Sequence, residues 1–341
     1  MTDQTPSYKL SSLLLNNIAT IERLYGQIES LKLPKKLELN LARRNMIQSS
    51  YASNKIEGNP LTLREVTNLL LDDRVPVGRD EKEVVNYYDL LMHLSDYREK
   101  EFSVGLLEEV HKKIMGGVDP TAGMIRNVPV VVGRYNSEEK FATLKVKHNP
   151  PFHKREQITA ALELLFDSAN KTSDIPAVLR AGLFHHQFVY IHPFEDGNGR
   201  SCRMLTALLF LKAGYAINKY FILDDYYDID RSDYSDKLHS ADSGEKTTWL
   251  EYFTDGVKYS LQSALSRSKT AMLTLKIEEQ PSPKEREVMN LIEEHSQMTS
   301  TDIAKTLNVS RQQAHALLRS LVDKGLLDKK GKTKSSYYFI K

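Results

Sequence analysis

The chain has 341 residues, 40% of them hydrophobic and 27% charged; that length allows two or three domains, and the composition excludes long disorder, a fibrous repeat and a membrane protein. Its single cysteine, Cys202, excludes intramolecular disulfides and any cysteine-based zinc cluster. Net charge is only +2, yet residues 283–341 hold 11 Lys and Arg against 7 Asp and Glu, so a basic end follows a body that sums to −2. The first ten residues lack a basic stretch followed by an apolar one, which sets a cytoplasmic location, with no membrane partner, as the expectation.

Apolar residues at helical spacing dominate, so the fold is expected to be mainly α, with a small β-hairpin flap. A leucine-rich pattern over 8–31 runs to Pro34, which suits the first turn of a second helix over 35–53. Gly58, Asn59 and Pro60 stop that helix, and Thr62 with Glu65 makes a capping box for the next, over 63–71. Helices follow over 80–97 and 104–115. The stretch 124–133, rich in valine and interrupted by Pro129, is the best strand signal and predicts a hairpin or edge flap. Helices resume over 155–169 and over 176–190, the latter with Ser173 and Asp174 as capping candidates. A short loop then leads into a helix over 200–213 closed by Gly214. Helices over 226–240 and 247–275 complete the body. The division expected is an N-terminal helical region (1–100), a core (101–275), a polar, proline-bearing linker (276–282) and a C-terminal module (283–341).

Chemistry concentrates in 192–203, His-Pro-Phe-Glu-Asp-Gly-Asn-Gly-Arg-Ser-Cys-Arg, a tight loop between two helices. Gly197 and Gly199 let the backbone approach a ligand closely, and the helix that follows offers unpaired N–H groups at a positive dipole end, which together make an anion nest. Arg200 and Arg203, three apart, can lean over one phosphate chain. Asp196 supplies the single carboxylate that suits magnesium, and His192 is a base able to accept a hydroxyl proton near neutral pH. His185 and His186 diverge by about 100° on their helix and find no third zinc ligand at usual spacing, so packing and loop support are expected of them. Cys202 reads as a small buried residue.

These twelve residues resemble the signature of the Fic family, His-x-Phe-x-(Asp/Glu)-Gly-Asn-Gly-Arg-x-x-Arg, at every specified position. The likeness extends to 185–191, similar to the family's lead-in, and to 122–126, similar to its flap. It implies transfer of AMP from ATP, with magnesium, to a Ser, Thr or Tyr hydroxyl of a target protein or of the chain itself. His192 would be the base, Asp196 the metal ligand, Gly197, Asn198 and Gly199 the phosphate nest, and Arg203 the γ-phosphate contact. Arg200 would touch phosphate or support the loop. Tyr226, Tyr227 and Tyr234 fall where the family often lines the nucleotide base. Residues 53–58, Ser-Asn-Lys-Ile-Glu-Gly, resemble the family's inhibitory motif; Glu57 would pair with Arg203 and displace the γ-phosphate, Ser53 orienting it from one turn away.

The C-terminal module resembles a winged helix. Residues 299–310 are similar to a helix-turn-helix and Tyr337, Tyr338 and Phe339 supply a wing. Arg311, Gln312, Gln313 and His315 would face a DNA groove, with Lys329, Lys330, Lys332 and Lys334 on phosphates, unless the module docks protein. Two alternatives to AMP transfer stand beside it: removal of AMP from a modified protein by the same site, and a DNA-binding regulator whose Fic domain senses nucleotide.

Overall fold

The computed structural model describes residues 7–72, 74–136, 143–171, 174–217, 219–331 and 336–341. They form two compact units, Met1–Ser268 and Lys269–Lys341.

Unit one is helical. Helices α1 (Ser12–Ser30), α2 (Lys35–Ile56), α3 (Leu63–Leu71), α4 (Gly78–Met92) and α5 (Val104–Met115) precede a hairpin of β1 (Val132–Asn136) and β2 (Thr143–His148). Helices α6 (Arg155–Asn170), α7 (Ala177–Ile191), α8 (Asn198–Lys212), α9 (Asp224–Ile229), α10 (Arg231–Ser240) and the long α11 (Thr247–Glu279) follow, the last of these running from Lys269 onward into the second unit. Ser11 caps α1 through the N–H of Leu14, and a reciprocal Thr62–Glu65 box starts α3. Helix α1 shows the usual surface pattern and buries Leu14, Ile21, Leu24 and Ile28 on one face. By contrast, ten of fifteen residues in α7 and twelve of fifteen in α8 are buried, so these two helices are the centre of the fold. Their connection, the 192–197 loop, therefore stands on two deeply buried helices. Trp249 of α11, fully buried, locks onto α7 by donating to the Gly182 carbonyl at 2.7 Å.

Three expected boundaries need correction. The hairpin lies over 132–148, not 124–133, because the groups of 124–131 are used elsewhere: Arg126 donates from its N–H to the Pro193 carbonyl (3.0 Å) and from its guanidinium to those of His192 (2.7 Å) and Val128 (2.7 Å). The helix expected over 226–240 is two, since Asp230 leaves helical geometry and turns its carboxylate to cap the N–H groups of Ser232 and Asp233. The expected linker begins inside a helix, because α11 continues through Glu279 before Pro281. The N-terminal region and the core pack as one unit. Ser173, Lys332 and Lys334 lie outside the described residues.

Unit two is a winged helix. Helices α12 (Pro283–His295), α13 (Ser300–Thr306) and α14 (Arg311–Asp323) pack with strands β3 (Met298–Thr299), β4 (Leu327–Lys330) and β5 (Tyr337–Ile340), in the antiparallel order β3-β5-β4. Its own core gathers Val288, Ile292, Ile303, Leu318, Leu321 and Tyr338, and all three helices open on reciprocal capping boxes. Among the described residues no helix is long and apolar enough to cross a membrane.

Candidate active site

The loop from α7 to α8 is built by its own side chains. His192 closes α7 in the left-handed region (φ 53°), Gly197 enters α8 from the same region (φ 76°), and Asn198 spans the loop, accepting from the Phe194 N–H at 2.9 Å and donating to the Phe194 carbonyl at 2.8 Å. Asn198, expected to touch ATP, thus spends its side-chain amide on shaping the loop. His111 of α5 supports the loop from below: its ring stacks on Phe194, Nδ1 accepts from the Gly123 N–H at 2.8 Å, and Nε2 donates to the Asp196 carbonyl at 3.0 Å. That arrangement fixes a neutral imidazole, and burial lowers its pKa accordingly. A side chain at Gly197 would run into His111 and Met115.

The surroundings of His192 favour its neutral form. Burial, reinforced by His148 and Arg126, pushes its pKa down to about 3, while the Val189 backbone works the other way. Its Nδ1 is buried and accepts or donates no hydrogen bond among the described residues. Just beyond, the first N–H groups of α8 have no partner inside the helix. Free N–H groups at a helix start are the kind of donors that can receive an anion.

Three ion pairs cover that helix start, each from the N-terminal helices. Arg203, buried, donates to Glu57 Oε1 at 2.8 Å, to the Ser53 hydroxyl at 2.7 Å and to the Ser53 carbonyl at 2.9 Å, and lies 3.3 Å from Asp224. Burial opposes its charge, yet Glu57 and the other acidic groups around it more than offset that, and its pKa is raised. Arg200, also buried, lies 3.2 Å from Glu83 and 3.3 Å from Asp196. Arg79 of α4 holds the other Asp196 oxygen at 2.7 Å and Glu83 at 2.9 Å. The logic in α2 is periodic: Ser49, Ser53 and Glu57, four apart, all face α8 and α9, with Ser49 donating to Asp224 at 2.5 Å. Glu57 Oε1 sits only 2.1 Å from where a Cβ on Gly199 would be, so this carboxylate fills the mouth of the nest.

The three tyrosines expected to line the nucleotide base pack against one another and their neighbours. Tyr227 and Tyr234 are buried and stack on each other at 4.5 Å, and the Tyr234 hydroxyl pairs with His185 Nε2 at 2.8 Å. Tyr226 is half-buried and rests on Tyr252 and Tyr259. His185 bridges Tyr234 and Thr206, and Cys202, its thiol pushed up by burial, is inert core. In unit two, Arg311, Gln312, Gln313 and His315 are exposed on α14, but Gln313 is occupied in capping the helix and His315 pairs with Ser300 at 3.2 Å.

The buried helical pair presenting this loop lies almost wholly within the segment that matches a known family. Residues 101–210 match the Fic/DOC family and residues 281–333 the MarR family, so the chain carries a Fic domain followed by a MarR-like winged helix. It is 28% identical over 248 residues to protein adenylyltransferase fic-1 of Caenorhabditis elegans, covering 69% of this chain and 45% of that protein. The chain thus spans less than half the length of that curated relative. In fold it is similar to a Fic family protein from Desulfovibrio desulfuricans G20 (TM-score 0.66, 22% identity, 99% and 98% of the two chains). Fic-1 from C. elegans is a second structural relative (TM-score 0.62, 24% identity, 77% and 74%).

Proposed function

We propose that this chain is a protein adenylyltransferase, moving AMP from ATP to a hydroxyl side chain of a target protein, and that its own N-terminal helices hold it in check. The observation that carries the reading is the placing of His192, the N-terminus of α8 and the two buried arginines of its first turns together at one loop. His192 Nε2 would take the acceptor proton as the hydroxyl oxygen bonds to the α-phosphorus; the α–β bridging bond breaks and pyrophosphate leaves. The N–H groups at the start of α8, with Arg200 and Arg203, would bind the phosphates. Asp196 fits magnesium, being a single half-exposed carboxylate beside the nest whose Oδ2 is freed once the exposed Arg79 lets go. The bound ion would supply charge neutralisation on the phosphates.

Glu57 occupies Arg203 and the space over Gly199, which supports the inhibitory reading of α2. For unit two, the likeness to the MarR family and the exposed Arg311 and Gln312 support a DNA-reading role. The test of the catalytic reading is α-labelled ATP with magnesium and a lysate, using the wild type, Glu57→Gly and His192→Ala. Labelled protein bands are expected from the first two and none from His192→Ala, although that variant still binds ATP because the nest is intact. Label transferred by His192→Ala would remove the imidazole from the mechanism.

A further inference from the structure

Behind the hairpin, four side chains from four elements converge. Asp242 lies on the 3-10 turn Ala241–Ser243, His239 on α10, His148 at the end of β2 and His186 on α7. His148 Nδ1 lies 2.7 Å from Asp242 Oδ2, His239 Nδ1 lies 3.2 Å from the same oxygen, and His186 Nε2 lies 2.9 Å from Oδ1. None of these residues takes part in the chemistry proposed above.

The donor count around His148 is the telling feature. Its Nε2 meets the Tyr190 carbonyl at 3.0 Å while its Nδ1 meets the Asp242 carboxylate, and both partners only accept. A neutral imidazole carries a single N–H. Either the ring carries two protons, or Nε2–H donates to Tyr190 and the Nδ1 lone pair serves a cation placed between it and the carboxylate. The second arrangement is how metal-bound histidines are habitually held, the far N–H fixed by a backbone carbonyl and the bound carboxylate oriented by a further hydrogen bond. His186, buried, donates to the other Asp242 oxygen and would provide that second restraint.

We propose that His148 Nδ1, His239 Nδ1 and one Asp242 oxygen form a binding site for a divalent transition metal of the zinc class, with Tyr190 and His186 holding the ligands. The three ligand atoms lie within 4.8 Å of one another; an ion bonded at about 2.0–2.2 Å to each would spread His148 Nδ1 and the Asp242 oxygen beyond their present 2.7 Å. Two imidazoles with one carboxylate, leaving a position for water, suit zinc and not magnesium, which takes oxygen ligands. His148 is almost fully buried, whereas Asp242 is partly exposed and gives an ion its way in. The ion would tie the root of β2 to α10 and to the end of α7, one residue pair before His192. Its effect is to brace the hairpin beside the motif loop.

The test uses the full chain without a histidine tag. Protein is equilibrated with Zn2+, gel-filtered and analysed for metal by mass spectrometry, and melted with and without chelator. One zinc per chain is expected, with a melting temperature that falls on chelation, and Co2+ should give the intense visible absorption of a low-symmetry site. His239→Gln and Asp242→Asn should each lose the zinc and the chelator effect while still melting cooperatively. Asp242→Asn keeps the shape of the side chain and so guards against a variant that simply fails to fold. Protein that retains no zinc would make the cluster an imidazolium–carboxylate pair and overturn the site. Zinc content unchanged in both variants would place the metal elsewhere and overturn it equally.

Discussion

Arg203 is contested by two kinds of partner, a carboxylate of its own chain now and, on the proposed reading, a phosphate in the active complex. Glu57→Gly should therefore raise AMP transfer on the order of 10- to 100-fold, the worth of a charge-assisted hydrogen bond of about 1.5–3 kcal/mol. Arg203→Ala should lower transfer and, combined with Glu57→Gly, erase most of that gain; initial rates for the four proteins form the double-mutant cycle, and additive effects would mean that the two residues do not share a role. Ser53 and Glu57 can be picked out in the sequence through the resemblance of 53–58 to the Fic inhibitory motif, whose spacing of four puts both on one helical face. Arg79, Glu83 and His111 cannot. They reach the loop across 117, 117 and 85 residues of sequence, Glu83 through Arg200, and no local period marks such a contact. The aromatic run at 226–234 is ambiguous for the opposite reason, since rings at helical spacing serve a core as readily as a ligand.

Helix α4 acts on the site through its first turns, where Arg79 and Glu83 engage Asp196 and Arg200. If Asp196 is the magnesium ligand, Arg79→Ala should lower the magnesium concentration needed for nucleotide binding. The change should be no more than about fivefold, because the pair is exposed and surface ion pairs contribute about 0–1 kcal/mol. A magnesium titration followed by nucleotide fluorescence measures it; an unchanged midpoint would remove Arg79 from the control of this carboxylate. Elements with written-in ends are the ones readable from the sequence. The helices Leu63–Leu71 and Val104–Met115 fall where their caps and breakers put them, Thr62 with Glu65 for the first and Ser103 with Gly116 for the second. The hairpin is harder to place because valines at 128–132 suggest a strand whichever groups claim their backbone, and it is Arg126 and the motif loop that decide. The break at Asp230 is hidden for a similar reason: an aspartate inside a helical pattern declares itself a cap only when its carboxylate turns back to the backbone.

The chain as a whole divides into a unit bearing the loop and a unit with its own core, which makes separability a measurable property. A chain ending at Glu279 keeps all of α11 and should melt cooperatively and bind nucleotide as the full chain does. The complementary winged helix, if it reads DNA through Arg311 and Gln312, should lose affinity steeply with salt as lysine and arginine contacts are screened. A fragment that ignores DNA at low salt would assign α14 to a protein partner. The three ion pairs between the N-terminal helices and the loop have a thermodynamic corollary on the proposed reading. Coupling between two sites is reciprocal: if the packing of α2 and α4 weakens nucleotide binding, then bound nucleotide must weaken that packing by the same free energy. A ligand that ordinarily tightens its host would here loosen part of it, and anything that seizes the freed helices would draw ATP in from the far side.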